Sequence, residues 1–134
     1  MSGLDEPAFN LGPVGQIAVG VADLARSQAF YGGVLGLREL FALPAEAAYD
    51  CGDLRLLLQQ RADHETVRPG SPIYFRVDDI RRARRELEAR GVAFTEPIHL
   101  VAALRDHDLW MTYFADPDGH RLALMMEGPK GFAA

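Results

Sequence analysis

Residues 21–30, VADLARSQAF, and residues 77–86, VDDIRRARRE, are two versions of one segment. In each, an apolar run ends at a valine, an aspartate follows two positions later, and a helical pattern begins. A second correspondence lies further on. Leu56-Leu57-Leu58 follows the glycine turn at Gly52, and Leu122-Ala123-Leu124 follows the one at Gly119. A unit this short cannot enclose both of its faces. A chain of 134 residues that carries it twice must pack one copy against the other.

The order of elements within each copy follows from period and punctuation. VGQIAVGV (14–21) alternates, with Ile17, Val19 and Val21 on one side and Gln16, Ala18 and Gly20 on the other. Asp23 caps a helix whose Leu24, Ser27, Phe30, Tyr31, Val34 and Leu35 share a side, and Gly36 stops it. LRELFAL (37–43), AAYDC (47–51) and LRLLLQQ (54–60) are three strands, separated by turns at Pro44 and at Gly52-Asp53. RADHETVRPG (61–70), with His64, is a polar connector without apolar period. SPIYFRV (71–77) is the next strand, Asp78-Asp79 open the helix IRRARRELEARG that buries Ile80, Ala83 and Leu87, and Gly91 closes it. VAFTEPIH (92–99) is strand-like, HLVAALRDHD (99–108) is a loop, and LWMTYF (109–114) and HRLALMM (120–126) complete the sheet. This predicts one α+β domain of two tandem βαβββ modules, about 13–60 and 71–127. Residues 1–12 and 128–134 are expected to lie outside the core.

Parity assigns faces. Ile17, Val19, Val21, Ile73, Phe75, Val77, Leu122, Leu124 and Met126 form the side a helix would cover. The opposite side carries Gln16, Arg55, Leu57, Gln59, Tyr74, Arg76, Arg121, Ala123 and Met125. That mixture of apolar surface and a few polar groups suits a small-molecule site.

Charge and cysteine count narrow the function. Fourteen Lys and Arg against nineteen Asp and Glu give a net charge of −5, which disfavours nucleic acid as a partner. One cysteine, Cys51, allows neither an internal disulfide nor a multi-cysteine zinc site, and a reducing, cytoplasmic setting is expected. The start of the chain reads as no signal peptide, and no apolar run is long enough for a membrane helix.

The segments GQIAVGVADLARSQAFYGGVLGL (15–37), YFRVDDI with ELEARGV (74–92) and FADPDGHRLALMM (114–126) resemble the glyoxalase/bleomycin-resistance/dioxygenase group, the vicinal oxygen chelate superfamily. The resemblance implies a half-closed mixed β-barrel, helices on its convex side, a ligand on its concave side and, often, a homodimer. It also implies a divalent metal held by one side chain from each of four strands. The corresponding positions here are Gln16, Leu57, Pro72 and Ala123. Only Gln16 has a donor atom, so no metal cofactor is expected.

In DPDG (116–119), Pro117 and Gly119 suit a tight turn and Asp116 can accept from nearby backbone donors, so the motif is structural, and His120 beside it is solvated. His99 and His107, with Asp106 and Asp108, are the candidate catalytic groups, because a histidine beside a carboxylate can move a proton. Cys51 is an inert thiol. The arginine-rich helix is a solvated face paired through Arg82–Glu86 and Arg84–Glu88.

Two functions are compatible with these residues. The first is a metal-free binder of a small, anionic organic ligand, held by Gln16, Arg55, Leu57, Tyr74, Arg76, Trp110, Arg121 and Ala123, with Trp110, Tyr74 and Tyr113 stacking on its flat parts. The second is a lyase, isomerase or dioxygenase related to glyoxalase, using the His99/His107 loop or a displaced metal site.

Overall fold

A computed structural model of the chain describes residues 8–62 and 67–132. His64 and the centre of the connector lie outside the described residues. The strands are β1 (Gln16–Val21), β2 (Glu39–Leu43), β3 (Glu46–Cys51), β4 (Leu54–Gln60), β5 (Ile73–Arg76), β6 (His99–Ala103), β7 (Asp108–Ala115) and β8 (Arg121–Gly128). They form two four-stranded mixed sheets, β1-β4-β3-β2 and β5-β8-β7-β6. In each sheet the first strand runs parallel to the last one formed, and the remaining pairs are antiparallel. Among the described residues no hydrogen-bonded ladder joins the two sheets, so the barrel stays half open.

The two capping aspartates behave alike. Asp23 accepts from the Arg26 N–H and Asp79 from the Arg82 N–H, both from extended backbone. The first helix, α1, runs over Leu24–Gln28 and then widens into a π-helical stretch, Ala29–Val34. The Leu35 N–H reaches back to the Phe30 carbonyl, a bond of the wider spacing. Gly32 sits under Tyr49, where a Cβ would be 3.2 Å from the ring. The second helix, α2 (Ile80–Ala89), buries Ile80 and Leu87. Gly36 and Gly91, at φ 76° and 92°, end the two helical segments as anticipated.

The helix-facing sides of both sheets feed one core. Val19, Val21, Tyr49, Leu56 and Leu58 come from the first sheet, and Phe114, Leu122, Leu124 and Met126 from the second. Cross-strand pairing explains the grouping: Val19 lies beside Leu58, Tyr49 beside Leu56, Phe114 beside Leu122. Full burial of a side chain such as Val21, Leu58 or Leu122 stabilises by about 1.5–3 kcal/mol.

The last turn of the sheet joins the two halves. Tyr31, fully buried on the π-helical stretch, donates to Asp116 Oδ2 at 2.8 Å. Asp116 Oδ1 accepts the backbone N–H groups of Asp118 and His120 at 2.9 and 2.8 Å. Asp118 accepts from the Ala22 N–H and pairs with Arg26 at 3.0 Å. Asp116 thus organises its own turn, as the residue pattern suggests, and also anchors the first helix.

Several expectations are corrected here. His120 is buried, not solvated: Nε2 lies 2.7 Å from the Gly20 carbonyl and Nδ1 accepts the Gly70 N–H at 3.3 Å. Residues 99–103, assigned to a loop, are strand β6, and 92–98 contribute only an isolated bridge between Phe94 and Phe114. Pro97 cannot donate to a ladder, so pairing starts beyond it. Arg84 pairs with Glu88 at 3.5 Å but is not on an outer face. Its Nη1 donates to the Glu96 carbonyl and Thr112 Oγ1, and its guanidinium covers Phe94. Phe132, expected outside the core, packs on Trp110 under Arg81.

Candidate functional site

The helix-free side of the second sheet gathers the densest functional groups. Tyr74, Ala123 and Tyr113 lie side by side across β5, β8 and β7, and Met125, Met111 and His99 form the next row. Tyr113 is the hub. Tyr74 meets its ring edge-on at 6.1 Å, His99 stacks on it at 6.1 Å, and the Arg121 guanidinium lies 4.0 Å from its centroid. Glu96 completes the group, 3.9 Å from Arg121 and 4.0 Å from His99. Burial against these neighbours, with Tyr74 adding and Arg121 opposing, raises the Tyr113 phenol above its usual range. Tyr113 donates to the Met111 sulfur at 3.4 Å. The surface is a cation and a histidine set on aromatic rings, over a floor of Ala123 and two methionines.

A second row of charge lies along the same side. Arg76 donates to Glu127 at 3.2 Å, and His107 Nε2 stands 3.3 Å from the other oxygen of that carboxylate. His107 Nδ1 meets Asp106 at 2.7 Å. Asp106 is held below the usual carboxylate range by that bond.

The corresponding side of the first sheet is simpler. Arg55 donates to the Gln16 amide oxygen at 2.8 Å and lies over Phe41. Ala18, Leu57, Ala48 and Phe41 form an apolar row, with Leu57 and Ala48 covered by their neighbours. Phe41, exposed at the edge, escapes the sequence reading because an irregularity between Glu39 and Phe41 breaks the parity of β2.

Of the ten residues singled out from sequence, nine lie on or beside the helix-free sides of the sheets. Gln16, Arg55, Leu57, Tyr74, Arg76, Arg121 and Ala123 lie on the helix-free sides, His99 stacks there, and His107 borders them. Trp110 is the exception and is a correction. It pairs with Met126, whose side chain points into the core, and its ring packs on Phe132. Trp110 and Tyr113 are three positions apart, and an odd spacing places them on opposite sides of a strand. The two histidines do not converge either. His99 faces Met111, whereas His107 lies in the turn before Asp108, at the far end of the hairpin. His107 Nδ1 is engaged by Asp106, while Nε2, buried near Glu127, makes no hydrogen bond among the described residues. His99 donates from Nδ1 to the Pro97 carbonyl at 3.1 Å, which leaves the Nε2 lone pair free.

Among the described residues no three His, Cys, Asp or Glu side chains come together as a metal-binding group. At the four positions named from the resemblance, Leu57 and Ala123 offer carbon, Pro72 has no donor side chain, and the Gln16 amide oxygen is engaged by Arg55. This donor set does not fit a divalent ion. Cys51 is half-buried, and burial, with Asp50 adding, keeps its thiol protonated above the usual range.

Comparison with known proteins agrees with the architecture. The family model described as Glyoxalase/Bleomycin resistance protein/Dioxygenase superfamily matches residues 14–124. No curated protein matches in sequence. Among solved structures, lactoylglutathione lyase from Agrobacterium tumefaciens is 24% identical, with a TM-score of 0.70 over 87% of this chain and 95% of that one. An integron cassette protein from the mobile metagenome of V. cholerae is 23% identical, with a TM-score of 0.70 over 89% and 98%. A glyoxalase/bleomycin resistance protein/dioxygenase from Alicyclobacillus acidocaldarius is 18% identical, with a TM-score of 0.67 over 86% and 91%. At these identities the structures establish a shared fold.

Proposed function

Because the chain belongs to the Glyoxalase/Bleomycin resistance protein/Dioxygenase superfamily, we propose that it is a cytoplasmic binder of a small organic acid with a flat, unsaturated body, working without a metal. The observation that carries this reading is the Tyr113 cluster. A flat group stacks on Tyr113 and Tyr74, and Arg121 offers its two-pronged guanidinium to a carboxylate. Arg121 is half exposed and only loosely held by Glu96 at 3.9 Å, so a ligand carboxylate can take over as its partner. Arg76 and Arg55 extend the positive character along the same sides.

A homodimer completes the site. Leu40, Phe41 and Leu43 on β2 and Leu100 and Val101 on β6 are exposed on the two outer edge strands. A second copy covers them and encloses the ligand between sheets of different chains.

The experiment is a thermal-shift and calorimetric screen of aromatic and aliphatic acids, with metal analysis of the same preparation. An acid should bind, lose at least ten-fold in affinity in Arg121→Ala, and leave the protein free of stoichiometric metal. Stoichiometric zinc, nickel, manganese or iron lost in Gln16→Ala sinks the proposal.

The free Nε2 of His99, facing the same surface, favours a second reading: proton transfer to or from the bound acid by an enzyme of the lyase or isomerase type. Turnover of a panel of 2-oxo acids, abolished in His99→Ala and unaffected in His107→Ala, would establish it.

A further inference from the structure

The two sheets come together without pairing where β1 and β5 each present an open edge. Between those edges lies a cavity of about 390 Å³, walled by β1 from Ile17 to Gly20, by Pro72 and Ile73, and by Arg61, Arg68, Ser71 and His120. It is separate from the Tyr113 cluster and shares no residue with it.

Three observations bear on what this cavity accepts. The first is charge. Among the described residues the lining holds two arginines and no carboxylate, in a chain of net charge −5. Arg26, Arg38, Arg76, Arg84 and Arg121 each lie within 4.0 Å of an acid. Among the described residues Arg61 and Arg68 have no such partner, which is also true of Arg55, Arg81, Arg82, Arg85, Arg90 and Arg105, but only these two line the cavity. The second is Gly20. Its backbone is not in the left-handed region, so its conformation does not demand glycine. Yet a Cβ there would stand 2.5 Å from Arg61 Nε and 3.1 Å from Nη2. The bare Cα lets the guanidinium settle against β1. The third is rigidity. His120 bonds to the Gly20 carbonyl through one nitrogen and to the Gly70 N–H through the other, fixing the wall that Arg61 lies against.

We propose that this seam is a second binding site, specific for the oxyanion of a small organic molecule, a phosphate monoester or a carboxylate, with Arg61 and Arg68 as its cationic jaws and Ser71 as an added donor. A guanidinium presents parallel N–H groups that match two oxyanion oxygens. The volume lies within the roughly 300–1,000 Å³ of small-molecule sites, more than a bare ion needs.

The test is a titration of the full-length ¹⁵N-labelled protein with inorganic phosphate, phenyl phosphate and benzoate at constant ionic strength, following the amides of Gly20, Gly70 and Ser71. Saturable shifts are expected with phenyl phosphate or with benzoate, and whichever saturates identifies the oxyanion. Arg61→Gln with Arg68→Gln should weaken binding at least ten-fold. Gly20→Ala should do the same by displacing Arg61 while the remaining spectrum stays that of the folded protein. Arg121→Ala should leave these shifts unchanged, which separates this site from the Tyr113 face. Absence of saturation with both organic ligands overturns the proposal, as does undiminished binding in the arginine double variant. Equal affinity for inorganic phosphate and phenyl phosphate overturns the organic assignment.

Discussion

Replacing Tyr31 by Phe removes one oxygen atom from the contact between the first helix and the turn before β8. The hydroxyl is fully buried and donates to Asp116 Oδ2 at 2.8 Å. A hydrogen bond to a charged acceptor is worth about 1.5–3 kcal/mol, and a buried acceptor left unpaired costs a similar amount. Tyr31→Phe should therefore lose about 2 kcal/mol of unfolding free energy. Asp116→Ala strips the acceptor from Tyr31 and from the backbone N–H groups of Asp118 and His120. It should lose about 4 kcal/mol. In the double variant the losses should fall short of additivity by about 1–2 kcal/mol, since both single changes break the same bond. Urea unfolding followed by circular dichroism measures all three. The pH dependence supplies a second check. Burial first, and Asp116 next, raise the folded-state Tyr31 phenol above its usual range. The unfolded chain ionises it near its ordinary pKa of about 10. The stability it confers is thus complete below that pH and is lost as pH rises past it. The difference between the parent protein and Tyr31→Phe should narrow above about pH 10. Tyr49, pushed up to about 12 by burial and by Glu39, contributes the same downward trend to both proteins and cancels. A Tyr31→Phe cost below about 0.5 kcal/mol, or strict additivity with Asp116→Ala, would refute the coupling.

Gly119 has φ 87°, so Gly119→Ala should cost about 1 kcal/mol in unfolding free energy by straining the DPDG turn. Arg84→Ala removes bonds to the Glu96 carbonyl and Thr112 Oγ1 at 2.7 and 3.0 Å. It should cost about 2 kcal/mol in urea unfolding and, by freeing the segment that carries Glu96, alter ligand binding at Arg121. Lys130, 2.6 Å from Asp108, holds that carboxyl below its usual range. Its contribution is present above the ordinary carboxylate pKa and disappears as pH falls through the folded value. Lys130→Ala should flatten the acid limb of the stability profile, read from thermal unfolding between pH 7 and pH 2.

The repeat and the alternation of apolar residues predict the strand and helix that open each half and the strands that close it, because both signals are local, but they place one strand of the second half at 92–99 in place of 99–103. Asp23 and Asp79 mark helix starts whatever lies around them. The face assignment followed for Tyr74, Arg76, Arg121 and Ala123, whose strands alternate without interruption. His120 was misread because the groups that enclose it, Gly20 and Gly70, are distant in sequence. β6 was missed because HLVAA has no alternating pattern and becomes a strand only through pairing with β7. Arg84 looks like its exposed neighbours until Phe94 and Glu96 fold over it. Trp110 lies three positions from Tyr113, so strand alternation alone sets it on the opposite side, against Met126 and Phe132. The cluster around Tyr113 and Glu96 is a product of cross-strand neighbourhood, which a linear reading does not order.

The grip of Asp116, Asp118 and His120 on Gly20, Ala22, Arg26 and Tyr31 has a consequence for the handling of this chain. The two βαβββ halves are not interchangeable: one carries the clasp and the other the eyelet. Either half made alone would leave buried acids or a phenol without their mates, so neither should stand alone, and melting should proceed as a single event.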